Sequence, residues 1–157
     1  MDFEKKQCTT EDERYMRMAL EQAAAAAELG EVPVGALVVR DGEVIARAHN
    51  RVETAHSSSA HAEMLALAAA EEALNAKWLT GCTMYVTLEP CSMCAGAMVL
   101  ARIDRLVIGA DDPKTGACGS ALNIAANDRL NHRIELERGV LAEECGSMLK
   151  DFFRRKR

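Results

Sequence analysis

Apolar residues recur along the chain at two spacings, one typical of strands and one typical of helices. Two short apolar runs are joined by Asp41-Gly42, a dipeptide that favours the positive φ angles of a type I′ turn, so they predict a β-hairpin. Further runs have the length and composition of buried strands. The predicted strands are 34–40, 43–49, 82–88, 104–110 and a short fifth strand at 133–137.

Helical spacing fills most of the segments between the strands. The first helix is predicted to begin at a capping box in residues 10–13, with Thr10 as N-cap, and to end near Gly30. Strands and helices alternate along one short chain, which indicates a single α/β domain over 1–157 with helices on both faces of a mixed central sheet, a three-layer α/β/α fold. We expect residues 1–9 to be disordered. The later helices are predicted at 61–75, after Pro90, and at about 140–156.

Composition narrows the class of protein without identifying it. The chain has 157 residues, of which 49% are hydrophobic and 27% charged, as in an ordinary globular domain. The longest segment free of Asp, Glu, Lys and Arg is 115–127, whereas a membrane helix needs about 20 residues. The N-terminus also lacks the apolar core of a secretory signal. We therefore expect a cytoplasmic protein with no membrane partner.

The charge of the chain is acidic overall but basic at its end. The net charge of −5 argues against a protein coated for nucleic acid. The last four residues, 154–157, are all basic, so the rest of the chain is more acidic still. On charge alone, this end is either a local phosphate contact or, more commonly, the solubilising end of a C-terminal helix.

Two short motifs hold the residue types of a metal site. His61-Ala62-Glu63 begins one predicted helix, and the segment P-C-S-M-C (90–94) begins another. Cys91 and Cys94 are three residues apart, so their sulfur atoms share one helical face, where the helix N-terminus favours metal-binding thiolates. Two thiolates and one imidazole suit Zn²⁺. No fourth ligand has a matching spacing, so the sequence predicts an open, catalytic site with Glu63 as the proton carrier.

Each motif alone also has simpler interpretations. A lone C-x-x-C is equally consistent with a redox pair, a structural metal site and a catalytic metal site. Most His-x-Glu triplets are ordinary helix starts. Together, in this order and with a proline before the first cysteine, they match the H-x-E…P-C-x-x-C signature of zinc deaminases. The redox alternative predicts no zinc and a reversible Cys91–Cys94 disulfide.

Beyond this signature, the chain resembles the bacterial tRNA-specific adenosine deaminases, a family of the cytidine-deaminase-like superfamily. The resemblance extends over about residues 11–157 and includes EVPVGALVV (31–39), YVTLEPCSMCAGAM (85–98), GADDPKTGACGS (109–120) and LKDFFRRKR (149–157). It implies a cytidine-deaminase-like fold and hydrolytic deamination of adenosine to inosine at the wobble position of tRNA. It also implies one Zn²⁺ per subunit, a homodimer, and the tRNA anticodon stem-loop as partner.

The resemblance assigns roles to individual residues. The zinc ligands would be His61, Cys91 and Cys94, and the catalytic proton shuttle would be Glu63. The remaining assignments concern the flipped base and the RNA around it. The residues implied to contact the substrate are Asn50, the backbone of Ala62, Asp112, Lys114, Phe153 and Arg154.

Two places depart from the family pattern. Ser57-Ser58-Ser59 stands where Asp-Pro-Thr is common, which leaves the four motif side chains intact but changes the loop before them. Asp111 stands where Arg is common, which removes a positive charge from a loop that faces RNA in the family. At the C-terminal end, Phe152 and Phe153 are adjacent, so we expect one ring to pack in the core and the other to face RNA.

Two other functions fit parts of the sequence. The same metal site could serve a deaminase of a free base or nucleoside, of the cytosine or guanine type, although the late family-like segments argue against it. A non-catalytic subunit that binds zinc or RNA would have no need of Glu63. Turnover of mononucleosides would favour the first alternative, and metal content without turnover would favour the second.

Overall fold

A computed structural model describes the backbone of residues 2–156 and the side chains of residues 11–156. Every strand and helix predicted from the apolar spacing is present, in the predicted order. The elements are α1 (Asp2–Glu28), β1 (Gly35–Arg40), β2 (Glu43–His49), α2 (Ala62–Leu74), β3 (Cys82–Leu88), α3 (Ser92–Ala101), β4 (Arg105–Ala110), β5 (Glu135–Glu137) and α4 (Ala142–Arg155).

The five strands form one mixed sheet in the order β2-β1-β3-β4-β5. Strand β1 is antiparallel to both β2 and β3, whereas β3, β4 and β5 run parallel to one another. The hairpin turn has positive φ angles of 50° at Asp41 and 77° at Gly42, as the Asp-Gly dipeptide predicts. The mixed sheet inferred from the sequence is therefore confirmed.

Both faces of the sheet are buried under helices. Ala36 and Val38 of β1 pack in a core with α2 and α3, whereas Leu37 and Val39 pack in a second core with α1 and α4. This alternation follows from the two-residue period of a strand, and it explains why the central strands are apolar at nearly every position. The predicted α/β/α layering is confirmed. None of the described helices is both long and apolar enough to cross a membrane.

Helix α1 approaches the sheet closely and is also fixed to it by an ion pair. At Gly35 of β1, a Cβ atom would collide with backbone atoms of α1. Asp12 accepts a hydrogen bond from the Tyr85 hydroxyl (2.8 Å) and two from the Arg105 guanidinium (2.9 and 2.7 Å). This partly buried bidentate pair lies on the α1 side of the sheet, among the residues of the second core.

The start of α1 differs from the prediction. The capping box places the N-cap at Thr10, whereas α1 begins at Asp2. No glycine or proline interrupts the preceding segment, and Glu, Lys and Gln are good helix formers, so nothing in the sequence prevents the longer helix. The side chains of residues 1–10 lie outside the described residues, and the expectation that residues 1–9 are disordered stays a prediction.

Candidate active site

Two helix N-termini meet where the predicted metal ligands lie. His61 is the N-cap of α2 and Cys91 is the N-cap of α3, both with extended backbone, while Cys94 lies in the first turn of α3. An N-cap side chain normally bonds the first amides of its helix. Neither His61 nor Cys91 makes such a bond in the described structure. Their side chains point into a shared cluster instead.

The three donor atoms of this cluster are close enough to bind one ion. The Nδ1 atom of His61 lies 3.7 Å from the Sγ atom of Cys91 and 3.5 Å from that of Cys94. All three donor atoms lie within 4.8 Å of one another. Among the described residues, this is the one group of three or more His, Cys, Asp or Glu side chains with such an arrangement.

Hydrogen bonds couple the ionisation of the three donors. The bond with Cys94, and then the bond with His61, lowers the pKa of the Cys91 thiol to about 3. The bond to Cys91, together with burial, raises the pKa of Cys94, and the bond to Cys91 raises the pKa of His61. A metal ion binds the deprotonated donors, so it would take the place of the protons that form the hydrogen bonds among them. Two sulfur donors and one imidazole fit Zn²⁺.

Glu63 lies beside this cluster as the second residue of α2. Its side chain is buried, and the residue is only 4% exposed. Burial raises the pKa of Glu63 to about 7, against the lowering effects of a backbone hydrogen bond and the charge of His61. A carboxyl that titrates near neutral pH can both accept and donate a proton, as general acid–base catalysis requires.

A cavity of about 280 Å³ opens over the cluster and reaches the surface. His61, Glu63 and Cys91 form its floor, and Val34 and Leu88 contribute apolar walls. A concave site with apolar walls and a few convergent polar groups is typical of small-molecule and base pockets. The geometry therefore combines a metal cluster, a buried acid and space for a planar ring.

Comparison with known proteins identifies the family. The sequence profile of the MafB19-like deaminases matches residues 10–157. A tRNA-specific adenosine deaminase from Bacillus subtilis (strain 168) is 54% identical over 148 residues, which are 94% of this chain and 92% of that protein. The chain belongs to the tRNA-specific adenosine deaminase family. A family member from Aquifex aeolicus (strain VF5) is 48% identical and covers 92% of this chain and 95% of its own length.

Solved structures of deaminases share the fold. One from a study of A-to-I editing by tRNA:A34 deaminases at the wobble position has a TM-score of 0.83 and 43% identity, covering 87% of this chain and 99% of its own. A guanine deaminase from Nitrosomonas europaea has a TM-score of 0.77 and 25% identity, covering 89% of this chain and 83% of its own. The cytidine-deaminase-like fold expected from the sequence is confirmed.

Of the two residues that the family resemblance assigns to the base, one lines the cavity. Asn50 follows β2 and lies in the cavity wall, where its Oδ1 atom accepts a hydrogen bond from the Ala62 amide at 2.8 Å. Ala62 is fully buried and is not among the residues that line the cavity. The two residues therefore form one unit, in which the backbone of Ala62 orients Asn50.

The predicted RNA-contacting residues of the 109–120 segment occupy different places. Asp112 lines the cavity, and its carboxylate accepts hydrogen bonds from the amides of Lys114 and Thr115 (3.1 Å each) and from the Thr115 hydroxyl (2.7 Å). Thr115 also lines the cavity, whereas Lys114 is exposed and lies outside its lining. The Asp112 side chain thus shapes its own turn as well as the cavity.

The C-terminal helix divides its two phenylalanines as the sequence predicts. Phe152 is 8% exposed and Phe153 is 48% exposed. Arg154 is exposed and lies 3.7 Å from Asp151 in an ion pair. Neither Phe153 nor Arg154 lines the cavity, but Lys156, which the sequence did not single out, does.

A buried glutamate that the sequence reading missed holds the β2–α2 loop, residues 50–61. Glu31 precedes β1, is 1% exposed, and accepts hydrogen bonds from the Glu53 amide (3.0 Å), the Thr54 amide (2.6 Å) and the Thr54 hydroxyl (2.5 Å). Burial by itself would raise the pKa of Glu31, but these bonds outweigh it and lower the pKa. Glu31 also lines the cavity.

A second missed glutamate holds the opposite wall, the segment 111–120, which we call the rim loop. Glu89 follows β3, and its carboxylate accepts the amides of Asp112 (3.1 Å), Cys118 (3.0 Å) and Ser120 (3.1 Å), together with the Ser120 hydroxyl. Burial opposes ionisation, but these bonds lower the pKa of Glu89 overall. Like Glu31, it is an acidic residue among apolar residues with a proline one or two positions later, which is a signal that the sequence does contain.

Proposed function

We propose that the protein hydrolyses the 6-amino group of adenosine at the wobble position of tRNA and leaves inosine. One observation carries the proposal: the His61, Cys91 and Cys94 donors converge beside the buried Glu63 at the floor of an open cavity, in a member of this family. One water molecule is consumed, its oxygen becomes the 6-oxygen of inosine, and ammonia leaves. We propose that this activity is cytoplasmic.

His61, Cys91 and Cys94 would hold one Zn²⁺ per subunit. When bound, zinc supplies the Lewis acidity that ionises water near neutral pH. Three protein donors, rather than four, are typical of a catalytic zinc site. The buried thiol of Cys118 lies against the carbonyl oxygen of Pro90 at 4.0 Å and does not join the donor group.

Glu63 would carry the protons of the reaction. Its carboxylate takes one proton from the attacking water and gives it to the ring nitrogen of adenine. It then takes the remaining proton of the added hydroxyl group and delivers it to the amino group, which leaves as ammonia. Its position next to His61 in α2 places it at the cavity floor. Burial keeps bulk water from competing for these protons.

Asn50 would orient the base. Its Oδ1 atom is engaged by the Ala62 amide, so the group that it offers to a ligand is its NH₂, a donor of two hydrogen bonds. Adenine has ring nitrogens that accept such bonds. Ala62 contributes by fixing the orientation of Asn50. An anticodon loop is single-stranded, so moving the base into the cavity costs little.

The rim of the cavity would bind the RNA around the base. Asp112 and Lys114 lie on the rim loop, and Phe153 and Arg154 lie on the exposed face of α4. Lys114 and Arg154 suit phosphates, whereas the half-exposed ring of Phe153 suits base stacking. Because these contacts are charge contacts to phosphate, RNA affinity should fall as the salt concentration rises, with a slope set by the number of cations that bind phosphate.

A homodimer would bury an apolar surface on α2 and α3. Leu100 of α3 is 79% exposed, and Trp78, in the segment after α2, is 51% exposed; both border one depression between these helices. Met93 is 36% exposed and lies two turns before Leu100 in α3. Large exposed apolar side chains that cluster in this way are typical of protein interfaces. Light scattering should give twice the chain mass for the natural protein, and the mass of one chain for Leu100→Glu.

The function is tested with a short RNA hairpin that carries adenosine at the wobble position. The zinc-loaded protein should produce inosine from this hairpin, and Glu63→Gln should abolish it. Glu72→Gln is the matched control, because it makes the same change at an exposed position of the same helix and should leave turnover unchanged. Free adenosine, cytidine and guanine run in parallel. Turnover of a free base without turnover of the hairpin would overturn the proposal.

A further inference from the structure

Arg138, just after β5, makes hydrogen bonds to four groups around the rim loop, one of which is the Ser120 hydroxyl at 3.4 Å. Its Nη2 atom donates to the carboxylates of Glu89 (2.9 Å) and Asp111 (2.7 Å), and its Nη1 atom donates to the Cys118 carbonyl oxygen. The Glu89 side chain is fully buried, whereas that of Asp111 is 59% exposed. The guanidinium of Arg138 therefore links Asp111, the first residue of the rim loop, to Cys118 near the other end of the loop. It also binds the buried carboxylate of Glu89, which the loop surrounds.

The packing around this carboxylate leaves the rim loop little freedom. A Cβ atom on Gly116 would collide with the Glu89 carboxylate, so the loop backbone lies directly against it. The loop amides point at Glu89, and the positive charge of Arg138 balances the buried negative charge. Removing one partner of such a buried pair leaves the other charge uncompensated.

The same contacts explain the departure at Asp111. Instead of presenting a free carboxylate to RNA, Asp111 is paired with Arg138. Arg138 also pairs with Glu89, so the three side chains together keep one net negative charge. Asp112, which directly follows Asp111, and Thr115 line the cavity. The position of these two residues depends on the conformation that Arg138 and Glu89 impose.

We propose that Arg138 is a positioning residue for the RNA substrate: by joining Glu89 to Asp111, it keeps the rim loop in the conformation that binds RNA. This inference rests on the proposed function. Arg138 does not line the cavity, so it acts through the loop and not on the base. A protein whose loop is ordered only part of the time binds with an apparent affinity reduced by that fraction.

The first experiment compares KM and kcat for Arg138→Ala on the wobble-adenosine hairpin. We expect KM to rise about tenfold, as it would if one molecule in ten kept an ordered loop. We expect kcat to stay within about threefold, because saturating RNA selects the ordered loop. Arg138→Lys keeps a cation beside both carboxylates and should recover part of the loss, which also covers the case in which Arg138→Ala does not fold.

The matched control is Arg105→Ala. Arg105 also makes a partly buried pair with a carboxylate, that of Asp12, but on the α1 side of the sheet. The Arg105→Ala variant should have a lower melting temperature than the natural protein and an unchanged KM. Amide hydrogen exchange gives a readout that needs no turnover: Arg138→Ala should speed exchange at Cys118 and Ser120 at least about tenfold, and Arg105→Ala should not.

Three results would overturn the inference. An unchanged KM in Arg138→Ala, with or without faster exchange, would show that RNA binding does not depend on this contact. An equal rise in KM for Arg105→Ala would indicate a general loss of stability. If the natural protein makes no inosine from the hairpin, the proposed function fails and this inference fails with it. If the natural protein makes inosine and KM is unchanged in Arg138→Ala, only the inference is overturned.

Discussion

Each of the two loops that wall the cavity is held by the hydrogen bonds of one buried glutamate, but the two glutamates make different numbers of contacts. In the β2–α2 loop, Glu31 accepts three hydrogen bonds from two consecutive residues and has no ion-pair partner among the described residues. In the rim loop, Glu89 accepts bonds from three separate residues and pairs with Arg138. Glu31 therefore binds the first loop at two adjacent residues, whereas Glu89 binds the second loop at residues spread along its length.

This difference shows where each loop tolerates change. In the β2–α2 loop, Ser57-Ser58-Ser59 lies beyond the Glu31 contacts, and its own bonds are local, such as that between the hydroxyls of Ser57 and Ser59 (3.3 Å). In the rim loop, the changed residue Asp111 lies inside the network and forms an ion pair with Arg138. The two departures from the family pattern therefore differ in their surroundings. Ser57-Ser58-Ser59 lies outside the contacts of Glu31, whereas Asp111 is paired within the contacts of Glu89 and Arg138.

The largest effect is expected from breaking the stronger anchor. Glu89→Ala leaves Arg138 facing a cavity and removes the acceptor of three loop amides, so we expect the free energy of unfolding to fall by about 3–5 kcal/mol. Urea denaturation followed by circular dichroism measures this loss. A fall of less than about 1 kcal/mol would mean that the rim loop does not need its central carboxylate.

A smaller effect is expected at the other wall. Glu31→Gln keeps the size of the side chain but replaces charged hydrogen bonds to Glu53 and Thr54 with neutral ones, so it should cost about 1.5–3 kcal/mol by the same denaturation measurement. Glu53→Gln, which changes an exposed side chain and keeps the amide that Glu31 binds, is the control for stability. Equal losses in Glu31→Gln and Glu89→Ala would remove the distinction between the two walls.

Acid should weaken both walls in the same direction. The pKa values of Glu31 and Glu89 are lowered in the folded protein, so each carboxylate stabilises the fold above its unfolded pKa, near 4.5. That stabilisation is lost as pH falls from 4.5 through the folded pKa, at up to about 1.4 kcal/mol per pH unit for each group. Unfolding free energies measured from pH 6 to 3 should therefore fall less steeply for Glu31→Gln than for the natural protein.

The smallest effect is expected outside both anchors. Replacing Ser57-Ser58-Ser59 with the Asp-Pro-Thr common in the family should change the free energy of unfolding by no more than about 0.5 kcal/mol, because these residues lie at the surface beyond the Glu31 contacts. KM for the hairpin should change less than about threefold. A larger change in KM would place the serine segment in direct contact with RNA.

Local patterns were sufficient to predict most of the fold and the centre of the site. The two-residue period of β1 and the Asp-Gly turn are properties of neighbouring residues, and the cluster of His61, Cys91 and Cys94 follows from two short motifs. The first helix was placed too late because a capping box is a local signal that a longer run of helix formers overrides.

The anchors of the two loops could not be read from local patterns. Glu31 and Thr54 are 23 residues apart, and Glu89 and Arg138 are 49 residues apart, so each contact is created by the fold. An acidic residue in an apolar run signals that some partner exists, but the sequence does not say which segment supplies it. Arg138 in particular has no motif around it.

The pairing of Asp111 with Arg138 also has an evolutionary consequence. An arginine at position 111, the common residue in the family, would meet the guanidinium of Arg138 across a gap that now holds a 2.7 Å ion pair. Neither position can then change sign alone without a period of mutual repulsion. The two positions should therefore covary, and lineages with arginine at 111 should carry a neutral or acidic residue at 138.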